Sequence, residues 1–153
     1  MFKFFSPIKL STSFKSLKSF SSSGNLYTWG SISSGTGFSE LSNSSVIRSP
    51  RRLPQFSSNV AKVSMGKWHS AIITSDGQLY TCGYGKRGSL GHENHENLGT
   101  PELVEFFKKK KVVDVACDGN HTVALTEDGT LWRWGTIKLG FWSLFHNLGG
   151  EWM

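Results

Sequence analysis

Apolar and polar positions alternate in short runs from residue 26 to residue 135, and each run stops at a turn-forming residue. Three runs resemble one another: Leu26-Tyr27-Thr28-Trp29-Gly30, Leu79-Tyr80-Thr81-Cys82-Gly83 and Leu131-Trp132-Arg133-Trp134-Gly135. Two more, His69-Ser70-Ala71-Ile72-Ile73-Thr74 and His121-Thr122-Val123-Ala124-Leu125-Thr126, lie just ahead of the second and third. Further candidates run from Val60 to Met65 and from Val112 to Cys117. Runs of this length with a period of two predict strands, because side chains alternate between the two faces of a sheet. Residues 60–135 hold no useful stretch with the 3.6-residue period of a helix. Asp76-Gly77 and Asp128-Gly129 separate paired runs, and Ser23-Gly24-Asn25 precedes the first. Asp-Gly in this setting predicts a hairpin with a two-residue type I′ turn.

The three Gly-terminated runs are 53 and 52 residues apart, counted from Gly30 to Gly83 and from Gly83 to Gly135. Ser49-Pro50-Arg51-Arg52-Leu53 and Thr100-Pro101-Glu102-Leu103-Val104 repeat at a spacing of 51. One unit therefore reads as a loop with Pro, a strand, a short turn, a His-Ser/Thr strand, an Asp-Gly turn, a strand ending in Gly, and a glycine-rich loop. An all-strand unit of about 50 residues points to a propeller blade.

The pattern Gly66, His69, Asp76, Gly77, Leu79, Gly83, Gly88, Leu90 and Gly91 resembles the regulator of chromosome condensation repeat. Gly119, His121, Asp128, Gly129, Leu131, Trp134 and Gly135 resemble the next copy, and Gly24, Leu26, Trp29 and Gly30 the end of the preceding one. The resemblance covers about residues 24–140 and implies a seven-bladed β-propeller, used mainly as a binding platform and in some members as an exchange factor for small GTPases.

Seven blades of about 52 residues would need roughly 360 residues, so residues 24–140 are expected to form two to two and a half. An open run of blades exposes strand edges and apolar sheet faces. A larger parent chain, an oligomer or a bound partner is needed to cover them. Residues 141–153, Phe141 to Met153, match nothing in the repeat and read as an apolar tail.

Charge divides the chain differently. The 17 basic and 11 acidic residues give +6, yet no acidic residue precedes Glu40, and Lys3, Lys9, Lys15 and Lys18 all lie before it. The remainder is close to neutral, which argues against a broadly basic, nucleic-acid-binding body. Residues 1–23 are Ser- and Phe-rich, and Leu10, Phe14 and Leu17 fall on one face if the segment is helical. Basic, amphipathic and acid-free is the chemistry of a mitochondrial targeting leader. A disordered tail is the alternative, with a nuclear or cytoplasmic location. The lysines interrupt every stretch long enough for a secretory signal, and no apolar run reaches membrane-spanning length.

Candidate chemistry is sparse. Cys82 occupies the position of Trp29 and Trp134 and reads as a packing residue, and Cys117 has no sequence partner for a metal or redox site. His69 and His121 recur once per repeat, which suits a structural hydrogen bond better than catalysis. His92 and His95 are two potential ligands without a third. Gly83, Gly85 and Gly88 spell a dinucleotide fingerprint with no helix after it. Lys108–Lys111 reads as a solvated loop; a nucleic-acid or lipid contact would need Arg51, Arg52, Lys62 or Lys86 beside it. No catalytic, metal or cofactor residue is assigned. The resemblance implies a non-enzymatic module with a protein partner, such as a small GTPase or an organelle assembly factor, linked to organelle RNA processing or ribosome assembly. Guanine-nucleotide exchange and a fragment without independent function are the alternatives.

Overall fold

The computed structural model describes residues 18–22, 25–31, 46–56 and 59–136. Among the described residues, ten strands form three antiparallel sheets. The first sheet holds β1 (Lys18–Ser22), β2 (Asn25–Ser31) and β3 (Val46–Leu53) in that order. The second holds β4 (Val60–Met65), β5 (His69–Thr74), β6 (Leu79–Gly83) and β7 (Leu98–Leu103). The third holds β8 (Val112–Cys117), β9 (His121–Thr126) and β10 (Leu131–Gly135), with β9 in the middle. Single 310 turns at Pro54–Phe56 and Glu105–Phe107 lead from one sheet to the next. The architecture is all-β with partial blades, as the alternating pattern predicts. The register repeats in detail: β4 is bulged against β5 between Val60 and Lys62, and β8 against β9 between Val112 and Asp114.

Three expectations change. The Pro-containing stretches are strands rather than loops. β3 and β7 each add a fourth-strand position outside β2 and β6, with Leu53 opposite Leu26 and Leu103 opposite Tyr80. Proline fits there because an outer edge strand needs only part of its ladder. The Asp-Gly turns also differ from the two-residue type. Gly77 N–H donates to Thr74 O, so Ser75 and Asp76 are the central residues, and Gly77 follows with φ 85°. Thr126 and Gly129 repeat this geometry. A four-residue turn that ends in a left-handed Gly makes the three-residue hairpin loop, and glycine is needed at that last position. Finally, Lys18–Ser22, inside the span assigned to the leader, pairs with β2. β1 thus lies in the first sheet, beside β2. The rest of the leader (1–17), Gly24 and the tail (141–153) lie outside the described residues.

The core lies between the sheets as two apolar layers. Leu26, Leu53, Phe56, Val60, Ile72 and Cys82 form the first. Ala71, Ile73, Leu79, Val104, Phe107, Val112, Val115, Ala124, Trp132 and Trp134 form the second. Every residue of β5 is buried, because both faces of the middle sheet are covered. On β9 burial alternates: Thr122, Ala124 and Thr126 are buried against the middle sheet, whereas His121, Val123 and Leu125 are half-buried.

Candidate functional site: the inter-blade relay and the two rims

Strand direction sorts the loops onto two ends. One rim carries Gly66-Lys67-Trp68, the loop from Tyr84 to Asn97, and Asp118-Gly119-Asn120. The opposite rim carries the Ser75–Gln78 and Glu127–Thr130 turns and the connection from Glu105 to Lys111.

Just inside the first rim, polar side chains join the second and third sheets. His69 begins β5 and is fully buried. Its Nε2 lies 2.7 Å from Thr122 Oγ1. The Thr122 hydroxyl donates to the Ser89 carbonyl at 2.8 Å, so its oxygen accepts from His69 Nε2–H. The Trp134 indole N–H donates to the same carbonyl at 2.9 Å. Burial, with a smaller contribution from the nearby His121, lowers the His69 pKa to about 4. The imidazole is therefore neutral near pH 7, with its proton on Nε2 and no partner for Nδ1. A neutral donor held this way acts as a fastener between blades. His121, the matching residue on β9, is half-buried, with Nδ1 3.9 Å from an Asp118 carboxylate oxygen.

The glycines of the signature sit where sheets touch or turn. A Cβ on Gly66 would collide with the Asp118 carbonyl of the next sheet, and one on Gly91 (φ 76°) would lie 2.8 Å from Trp134 Nε1. Gly83, Gly88, Gly129 and Gly135 have positive φ, and Gly119 lies in the β8–β9 turn. Gly30 belongs to β2. Leu26, Leu79 and Leu90 are buried, whereas Leu131 at the matching position is 48% exposed. Leu79 faces the third sheet, and Leu131 faces away from the second. Trp134 is buried between sheets, and Trp29 is half-buried. Asp76 and Asp128 accept from the Thr74 and Thr126 hydroxyls at 2.5 and 2.6 Å, fixing the turns.

Cys82 and Cys117 form no disulfide. Burial raises the Cys82 thiol far above its ordinary range and pushes Cys117 up to about 12. His92 Nε2 lies 3.1 Å from Thr81 Oγ1, and His95 lies beside Gly88. Among the described residues no group of three His, Cys, Asp or Glu side chains could hold a metal, and no helix is long and apolar enough to cross a membrane. The basic residues that a patch at Lys108–Lys111 would need do not all gather there. Lys62 pairs with Asp114, and Lys86 lies on the opposite rim. Sequence reading missed Ser89 and Thr122, because their roles depend on a neighbour in another blade.

Stacked antiparallel sheets with a 51–53-residue period and apolar layers between them define the chain as a set of β-propeller blades. Two sequence models of the Regulator of chromosome condensation (RCC1) repeat match residues 76–125 and 60–89. The chain belongs to the RCC1 repeat family. It is 38% identical over 126 residues to the human E3 ubiquitin-protein ligase HERC2, a match that covers 78% of this chain and 2% of that one. Human WBSCR16 superimposes with a TM-score of 0.61 at 27% identity, covering 75% of this chain and 30% of that one. Prp20p of Saccharomyces cerevisiae, whose structure was described with its binding to Gsp1p and histones, has a TM-score of 0.63 at 24% identity; the match covers 72% of this chain and 29% of that one. The chain thus spans a small part of each relative.

Proposed function

We propose that the chain is a non-enzymatic protein-interaction module that meets its partner through its rims. The observation that carries this reading is the use of His69. The buried imidazole is held neutral and hydrogen-bonded to Thr122, in a structural role. On the rims, Trp68, Lys86 and Arg87 are exposed at one end and Phe106 and Lys109 at the other. Specificity in a propeller resides in such loops.

The finer assignment is a mitochondrial module serving RNA processing, ribosome assembly or a GTPase. The basic, acid-free residues 1–23 support the compartment. The binding of Prp20p to Gsp1p supports a GTPase as one partner class, and also supports the second reading, guanine-nucleotide exchange. Cross-linking the chain to its bound partners tests the module. Cross-links are expected at the rim lysines Lys67, Lys86 and Lys108–Lys111, and a partner cross-linked nowhere on either rim sinks the reading. Accelerated release of labelled GDP from a purified GTPase would favour exchange. A reporter carrying residues 1–25 that stays in the cytosol would remove the mitochondrial assignment.

A further inference from the structure

The connections between blades offer an internal comparison. Pro54-Gln55-Phe56 and Glu105-Phe106-Phe107 are equivalent 310 turns. The third residue has the same task in both, since Phe56 and Phe107 are buried in the two apolar layers. The second residue does not. Gln55 is exposed in one turn, and Phe106 is 39% exposed in the other. The blade junction can therefore be built without an aromatic ring at that position. After the turn, the first connection continues Ser57-Ser58-Asn59 and the second continues Lys108-Lys109-Lys110-Lys111.

The second connection is also held rigidly. The Phe106 ring stands edge-on to Phe107 and to Trp132, each with centroids 5.0 Å apart. Lys110 Nζ sits 4.3 Å from the Phe106 centroid and 5.4 Å from that of Trp132. Lys108 is paired with Glu105 at 3.1 Å, and Lys111 with Glu127 at 2.6 Å. Among the described residues no carboxylate lies within ion-pair distance of Lys109 or Lys110. An exposed ring on a buried aromatic base, flanked by two uncompensated cations, has the makeup of a binding hot spot.

We propose that Phe106, Lys109 and Lys110 form a docking point for an acidic peptide segment that carries an apolar side chain. The apolar side chain would cover Phe106, and one or two carboxylates would reach Lys109 and Lys110. The surroundings favour a peptide over a polyphosphate. Lys108 and Lys111 are already paired with Glu105 and Glu127, which leaves two cations here, enough for one or two carboxylates and too few to track a continuous phosphate backbone. This inference rests on the interaction-module reading and names one surface and partner class within it.

Fluorescence polarisation with the full chain tests it, using a short labelled peptide of Asp and Glu around a central Leu-Phe pair. Phe106→Gln copies the residue at the equivalent turn, and Lys109→Ser with Lys110→Ser copies the character of Ser57 and Ser58. Each change is expected to weaken binding by about tenfold or more while leaving the thermal midpoint within a few degrees of the parent. If Phe106→Gln unfolds the chain, the lysine variant still decides the matter. The inference is overturned if the peptide fails to bind the parent chain, if the substitutions leave affinity unchanged, or if labelled oligothymidylate binds these residues more tightly than the peptide. Partner cross-links confined to Lys67 and Lys86 would leave the module reading intact and remove this surface from it.

Discussion

His69 Nε2 and Thr122 Oγ1, 53 residues apart in sequence, meet at 2.7 Å across the junction of two blades. The bond is buried, and Thr122 passes the hydrogen-bond chain on to the Ser89 carbonyl. Thr122→Val keeps the side-chain shape and leaves His69 Nε2–H without a partner, while the Ser89 carbonyl keeps the Trp134 indole N–H. A buried group that loses its hydrogen bond costs about 1–3 kcal/mol. Urea unfolding should show a lower midpoint for Thr122→Val, and Thr122→Ser should recover most of the difference. Equal midpoints for Val and Ser variants would mean that the hydroxyl contributes nothing.

The blades were legible in the sequence because their strongest signals are local. Alternation marks β5 and β9, and the glycine-terminated runs mark β2, β6 and β10. β3 and β7 were hidden because proline argues against a strand unless the strand is known to lie at an edge, which is a tertiary fact. Asp-Gly located the hairpins but did not set their loop length, which depends on Thr74 and Thr126 accepting the turn. The relay was less legible still. His69 could be singled out by recurrence, but Thr122 and Ser89 join it only after the sheets stack. Phe106 stood out in no pattern, since its exposure reflects how the 310 turn faces.

Gly91 and Gly129 separate two reasons for glycine. Both have positive φ, 76° and 85°. At Gly129 an added Cβ meets nothing within 4 Å, so Gly129→Ala should cost only the backbone term of about 1–2 kcal/mol. At Gly91 the same methyl would lie 2.8 Å from Trp134 Nε1 and press on the indole that donates to Ser89. Gly91→Ala should therefore lose clearly more stability than Gly129→Ala, and Trp fluorescence should shift only for Gly91→Ala. Matching losses with unchanged spectra would show that the indole yields freely.

Phe107 and Phe106 should separate just as clearly. Phe107 is fully buried in the second apolar layer, whereas Phe106 is partly exposed above it. Phe107→Leu leaves a cavity beside Trp132 and Trp134 and should cost on the order of 1–3 kcal/mol; Phe107→Ala should cost about 3–5 kcal/mol, enough to unfold a marginal chain. Phe106→Gln should stay within about 1 kcal/mol of the parent. Thermal melts of the three variants check the order.

The two thiols should report opening of the blades. Cys82 is fully buried and its pKa is raised by burial, while Cys117 is pushed up to about 12. Only the thiolate reacts quickly with a disulfide reagent. Labelling near pH 8 should therefore be slow for both in the folded chain and should accelerate on adding urea. Rapid modification of Cys82 without denaturant would mean that the interface between the first and second sheets opens readily.

Acid should loosen the relay at His69. Its folded pKa is lowered from 6.5 to about 4, chiefly by desolvation. Below pH 6.5 the unfolded chain therefore takes up a proton that the folded chain resists. The stability contributed by the neutral imidazole is complete above about pH 6.5 and is lost as the pH falls toward 4. Between those limits the slope is about 1.4 kcal/mol per pH unit, a total on the order of 3 kcal/mol. His69→Gln can still donate to Thr122 Oγ1 but does not titrate, so its unfolding midpoint should vary less between pH 7 and pH 5 than that of the parent. Asp128, whose carboxyl is held low by hydrogen bonds from Thr126 and Thr130, loses its contribution only at lower pH and does not blur the comparison. Parallel pH profiles for the two proteins would show that His69 is not the titrating group.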